Sequence, residues 1–137
     1  MEKIALVACV KMKRAEPSLA KDLYISPLFQ GMRRHAERHA DQWFILSAEH
    51  GLLRPESVVA PYEKTLNKMK KGERVEWAKR VCTQMEGQIS RDAKIVFLAG
   101  ERYREGLIPF LISRGNSVEI PFLGMRLGEQ LSRLSAN

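Results

Sequence analysis

"WFILSAEHGLL", residues 43 to 53, runs from four unbroken apolar residues straight into Ser47, Ala48, Glu49, His50 and Gly51. A strand with one wet face alternates apolar and polar residues, whereas a strand covered by helices on both faces reads as a continuous apolar run. Residues 43–46 are of the second kind. The same signature recurs at residues 4–9 and 95–99 and, more weakly, at 118–120. These four runs set the expected fold, and the polar residues that follow them set the expected site.

Segments of helical period lie between the runs. Ser26 followed by Pro27 is an N-cap with proline at the first helical position, opening a helix whose face is Phe29, Met32, Ala36 and Ala40. Over residues 73–89, Val75, Ala78, Cys82, Met85 and Ile89 recur at steps of three and four, which predicts an amphipathic helix with Cys82 in the core. A third helix is expected over about 105–113, kinked or split at Pro109. The last uses Leu127, Leu131 and Leu134. Strand then helix, four times over, predicts an α/β protein with right-handed crossovers. The expected architecture is a small Rossmann-like three-layer fold with a mostly parallel four-stranded sheet, in a single domain over residues 1–137.

Composition frames the rest. A chain of 137 residues buries about two thirds of its unfolded surface around one core. With 45% hydrophobic and 28% charged residues, it has no run of 18 apolar residues for a membrane span. No secretory signal pattern precedes the first apolar run, so a cytoplasmic location is expected and no membrane partner. Cys9 and Cys82 are then reduced thiols rather than a disulfide. The excess of 23 Lys and Arg over 16 Asp and Glu gives a net charge of +7. Such an excess suits a phosphorylated or polyanionic ligand, and equally a well-solvated basic surface. Its densest stretch holds Lys64, Lys68, Lys70, Lys71 and Arg74.

In open parallel sheets, ligands bind in the crevice beyond the carboxyl ends of the strands. Strand one is followed by a basic turn containing Lys11, Lys13 and Arg14; strand two by Ser47 to Gly51; strand three by Gly100, Glu101, Arg102 and Tyr103. The polar residues with chemical potential therefore converge on one edge of the sheet. Ser47 offers a hydroxyl, Glu49 a base or ribose contact, and His50 a proton shuttle near neutral pH. The plainer alternative is a turn: Ser47 as its cap, Gly51 for a positive φ, and Glu49 and His50 solvated. Tyr62, after Pro61, either packs back on the chain or stacks on a base or sugar.

Several chemistries are excluded by spacing. There is no G-x-x-x-x-G-K-[ST] phosphate loop, no G-x-G-x-x-G after strand one, no C-x-x-C and no G-x-S-x-G nucleophile elbow. His35 and His39 have the four-residue separation of two metal ligands on one helix, but no third ligand is placed beside them, so neither a metal nor a cofactor is expected.

Taken together, "KDLYISPLF", "WFILSAEHGLLRPESVVAPYEKTL", "VFLAGERYREGLIPFL" and "VEIPFLGMRLGEQLSRL" resemble an uncharacterised bacterial and phage domain family, whose members are described as similar to the peroxide-stress, YaaA-like proteins. The resemblance runs from Cys9 to Leu134 and rests on Asp22-Leu23-Tyr24 with Ser26, Ser47-Ala48 with His50-Gly51-Leu52, Pro61-Tyr62, and Ala99-Gly100 with Tyr103. A weaker similarity links the Cys, Lys, Ser and Tyr elements to an accessory domain beside archaeal tRNA-guanine transglycosylases. The chain departs from the family pattern at Val10, where the pattern has serine, and at Glu49, where a basic residue is common. The resemblance implies a Rossmann-like domain working in nucleic-acid or nucleobase metabolism.

Two functional readings follow. In the first, the protein is a hydrolase or glycosyltransferase acting on a nucleoside or nucleotide at an N-glycosidic bond. Lys11, Lys13 and Arg102 then hold phosphate; Tyr24, Tyr62 or Tyr103 stack on the base; and His50, Ser47, Glu49 or Glu101 assist cleavage through an oxocarbenium-like state. Cys9, Ser26, Gly51 and Gly100 complete the expected ligand contacts. In the second, the same basic rim grips DNA, RNA or a nucleotide without chemistry, with strong salt dependence. A third option is a purely structural domain whose polar strand ends only terminate the sheet.

Overall fold

The structure, a computed structural model, describes residues 2–8 and 13–136. Its centre is a five-stranded sheet built from β1 (Lys3–Val7), β3 (Gln42–Ser47), β4 (Gly51–Leu53), β6 (Lys94–Leu98) and β7 (Ser117–Glu119), in the order β4-β3-β1-β6-β7. β1, β3, β6 and β7 are parallel; β4 turns back antiparallel on β3. A second, two-stranded ribbon pairs β2 (Ser18–Leu19) with β5 (Val58–Val59). The helices are α1 (Ala20–Leu23), α2 (Pro27–His39), α3 (Lys71–Glu86), α4 (Glu101–Arg104), α5 (Ile108–Ser113) and α6 (Leu127–Ala136), with a 3-10 turn at Leu66–Lys68.

The continuous apolar runs are explained by burial on both faces of this sheet. On one face Ile4, Leu6, Phe44, Leu46, Ile95 and Phe97 pack against Trp77, Val81 and Met85 of α3 and against Leu107 and Leu111. On the other, Ala5, Val7, Ile45, Val96 and Leu98 meet Leu23, Phe29, Met32, Ala36 and Leu134. Each fully buried aliphatic or aromatic side chain contributes about 1.5–3 kcal/mol, so neither face tolerates a polar residue at mid-strand. α6 reaches the second face through Gly31 of α2, where an added Cβ would lie 3.1 Å from the Leu134 side chain.

Three expectations are refined or corrected. The sheet has five strands rather than four: β4 is three residues long, too short for a period, and becomes a strand only because Ser47 and Gly51 register opposite each other. The helix expected over 105–113 is shorter and is not split at Pro109: α5 begins at Ile108 with Pro109 in its opening turn, where its missing N–H and fixed φ cost nothing, and the short α4 lies before this span. On α3 the buried stripe is Trp77, Ala78, Val81 and Met85; Val75 is exposed, and Cys82 is a half-buried free thiol rather than a core residue. Four alternative positions share the helical spacing, and only packing against the sheet selects among them. The Ser26 cap holds: the Phe29 N–H donates to its Oγ at 3.2 Å. Among the described residues no helix is long and apolar enough to cross a membrane.

At the amino end of the sheet, buried polar side chains tie loops to backbone. Asn116 Nδ2 donates to the Ser90 and Ala93 carbonyls, and Arg114 donates to the Ile89 carbonyl. Lys94 and Glu119 pair across β6 and β7 at 2.6 Å, which holds the Glu119 carboxyl below its usual range.

Candidate functional site at the carboxyl edge of the sheet

Because β1, β3, β6 and β7 are parallel, the turns that follow them meet at one edge. The chain leaves β1 to build β3 on one side and later β6 on the other, so the strand order reverses between β1 and β6. Such a reversal opens a crevice, since successive crossovers diverge to opposite faces. A cleft of about 800 Å³ lies there. Its floor is apolar, with Ala8, Met32, Phe97, Phe122 and Leu131; Ser26, Asn67, Glu101, Arg102, Tyr103 and Arg104 supply the polar groups.

The polar residues differ in how they are committed. Arg104 donates to the Ala99 carbonyl at 2.8 Å, which fixes the turn after β6. Tyr103 is buried, set edge-on to Trp77, and its hydroxyl accepts from the Leu66 N–H at 3.5 Å. Glu101 and Arg102 are exposed at the start of α4, and neither has a side-chain hydrogen bond or ion pair among the described residues. Gly100 precedes them at the N-cap of α4 and lines the same cleft.

A second polar group forms beyond β3. Ser47 is fully buried; its Oγ accepts from the His50 N–H at 3.0 Å and its hydroxyl donates to that of Tyr62 at 2.9 Å. The Tyr62 hydroxyl is also hydrogen-bonded to that of Tyr24, which is buried. Burial, then the neighbouring Tyr62, pushes Tyr24 ionisation far above the usual phenol range; burial also raises Tyr62. All three hydroxyls therefore stay protonated at neutral pH, as donors and acceptors to one another. The Lys13 ammonium lies 4.6 Å from the centre of the Tyr62 ring and 5.7 Å from that of Tyr24. The exposed His50 ring meets Tyr62 edge-on at 5.7 Å. With Arg14, Pro61 and Glu63, Lys13 and Tyr62 line a shallow recess of their own.

α3 holds this turn from below. Trp77 Nε1 donates to the Ser47 carbonyl at 2.9 Å, Arg80 to the Glu49 carbonyl at 3.1 Å, and Gln84 Nε2 to the His50 carbonyl at 3.1 Å. Gln84 Oε1 accepts from the Leu52 N–H at 2.8 Å. Gly51, at φ +74, holds a conformation that L side chains rarely adopt, and a Cβ there, 2.2 Å from Gln84 Oε1, would displace the Gln84 amide.

The sequence-derived residues thus fall into two neighbourhoods. Ser47, His50, Gly51, Tyr24, Tyr62 and Lys13 gather beside β3, with Glu49 exposed on the turn between them. Ser26, Gly100, Glu101, Arg102 and Tyr103 line the cleft. Trp77 bridges the two, bonded to Ser47 and packed on Tyr103. Cys9 and Lys11, expected ligand contacts, lie outside the described residues. Trp77, Arg80 and Gln84 were not singled out from the sequence, although their spacing puts them on one flank of a helix, a signal that separates nothing until a partner turn is known. The His35 and His39 rings lie 4.5 Å apart and tilted by 44°, and no group of three or more His, Cys, Asp or Glu gathers as a metal set among the described residues.

No solved structure matches this chain. The uncharacterized protein YfjM of Bacillus subtilis (strain 168) is 39% identical over 66 residues, a match covering 44% of each chain and so less than half the length of that relative. A family model matches residues 4–136, and over that span the chain belongs to DUF6884, a family of unknown function.

Proposed function

We propose that this chain is a Rossmann-like domain that binds a nucleoside or nucleotide in the cleft between β1 and β6. The observation that carries the reading is the cleft: about 800 Å³, at the reversal of strand order, with an apolar floor and uncommitted charge at its mouth. That volume is within the range of small-molecule sites, and such a floor accepts the faces of a planar base while convergent polar groups orient it. Arg102, which has no side-chain partner among the described residues, meets a phosphate or sugar oxygen. The net charge of +7 raises the local concentration of anionic ligands. The resemblance to YaaA-like proteins and to the transglycosylase accessory domain supports the same ligand class, and the cytoplasm supplies it.

If the protein is an enzyme, the reaction is cleavage or transfer at the N-glycosidic bond. Glu101 then provides the carboxylate that stabilises positive charge on the sugar, and His50, Ser47 and Glu49 form the wall toward β3. A second reading, a binding module without chemistry, is favoured by one observation: the Ser47 hydroxyl is buried and already engaged with Tyr62 and the His50 N–H.

The test is a thermal-shift screen against nucleobases, nucleosides and nucleotides. A ligand present at 100 times its Kd stabilises the folded state by about 2.7 kcal/mol, a rise of several degrees. Arg102→Ala should remove most of that rise. A panel in which no compound moves the midpoint overturns the reading; a binder that is never turned over leaves the binding module.

A further inference from the structure

The uncommitted lysines of residues 64–71 lie against the cleft on one side and the β3 turn on the other. Leu66 at the centre of this segment is buried, with its N–H held by the Tyr103 hydroxyl, and its neighbour Asn67 lines the cleft. Lys64 and Met69 line a separate groove of about 560 Å³ that ends at Ala48 and Trp77. The segment is therefore a ridge between two recesses.

Lys64, Lys68, Lys70 and Lys71 are exposed along this ridge, and none has an ion-pair partner among the described residues. Glu63, beside Lys64, and Glu101, at the cleft, have no ion pair among the described residues, while three other nearby carboxylates are engaged elsewhere. Glu73 accepts from the Lys70 backbone N–H, Glu76 pairs with Lys79, and Glu105 pairs with Arg74. Lys70 and Lys71 also stand at the first turn of α3, where the helix dipole already disfavours positive charge. A fold gains nothing by collecting cations there, whereas a bound polyanion is favoured by every one of them.

We infer that the ligand is a nucleic-acid strand rather than a free nucleotide: one unpaired nucleotide enters the cleft, and the adjoining phosphodiester backbone lies along Lys64, Lys68, Lys70 and Lys71. This rests on the nucleotide reading of the cleft. An unpaired base is required because a base inside a duplex cannot reach a recess lined by Phe97 and Phe122. An acidic protein partner would use the lysines but leave the apolar cleft empty.

The test measures binding of fluorescent 12-nucleotide single strands, DNA and RNA separately, to the full chain across a range of salt. It compares Lys64→Ala/Lys68→Ala/Lys71→Ala with a control of equal charge loss, Lys21→Ala/Arg34→Ala/Arg133→Ala. The ridge variant should weaken binding about tenfold or more and lower the salt slope by about 2, three contacts at about 0.7 each, with the control near wild type. Its thermal shift with mononucleotides should be unchanged. Equal losses in both variants would reduce the effect to net charge and overturn the inference, as would competition by polyglutamate as strong as by oligonucleotide. Mononucleotide binding without oligonucleotide binding overturns this inference alone; if neither binds, the nucleotide reading falls with it.

Discussion

The cluster beside β3 and the cleft between β1 and β6 sit on the same edge of the same sheet, yet they spend their polar groups in opposite ways. In the cluster, Ser47, Tyr62 and Tyr24 satisfy one another and are tied through the turn to Trp77, Arg80 and Gln84 of α3. In the cleft, Glu101 and Arg102 face an apolar floor with no internal partner among the described residues. A buried polar group left unpaired costs about 1–3 kcal/mol, so buried hydroxyls pair with each other, while exposed charge at a cleft mouth stays available to a ligand. A cluster of chemically capable residues is therefore the less promising half as reacting groups, and the more rigid half as a wall.

That contrast predicts where substitutions cause unfolding and where they cause loss of binding. The largest effect is expected for Trp77→Ala, which removes a buried ring bridging both regions and its hydrogen bond to Ser47. It should cost about 3–5 kcal/mol in chemical denaturation. A loss under 1 kcal/mol would mean that the two regions are not mechanically joined. Tyr62→Phe comes next, at about 1–3 kcal/mol, because it strands both the Ser47 donor and the Tyr24 hydroxyl. If instead it left stability intact but abolished ligand response, Tyr62 would be a binding residue rather than part of the wall. Arg102→Ala is the reverse case: stability should stay within about 0.5 kcal/mol while the nucleotide-induced shift disappears.

The smallest effect concerns His35, whose ring lies edge-on to Phe122 of the cleft at 5.6 Å. Burial first, then His39 and Lys3, lowers its pKa, and Glu119 opposes them. The folded state thus favours the neutral imidazole. Its contribution is present above the ordinary value of about 6.5 and is lost as pH falls through the lowered folded value. The thermal midpoint should drop modestly between pH 7 and pH 5, and less in His35→Gln. An identical slope in the variant would disconnect this ring from the stability of the Phe122 wall.

Legibility followed the range of the interaction. The Ser26 cap and the positive φ of Gly51 are local, decided within a few residues by backbone sterics and hydrogen bonding, and they could be read directly; Pro109 opens α5 rather than breaking a helix, because its effect depends on where the helix begins. The four parallel strands were legible because burial on both faces leaves a composition, not merely a pattern. β4 was not, since three apolar residues after a turn belong equally to a loop. Nor was Trp77, because Val75, Ala78 and Cys82 offer an equally good helical stripe and only the distance to Ser47 breaks the tie.

From the chain alone, one learns which segments are strands and that their polar followers share one edge, because apolar burial and chain direction are encoded residue by residue. Strand order, and with it the β1/β6 crevice, came only with the tertiary structure. So did the division of polar residues into those that satisfy each other and those left exposed at the cleft with no partner among the described residues. Hydrogen-bond pairing between Ser47, Tyr62 and Tyr24 depends on ångström-scale proximity across 15 and 38 positions of chain, and no local property of the sequence records that distance.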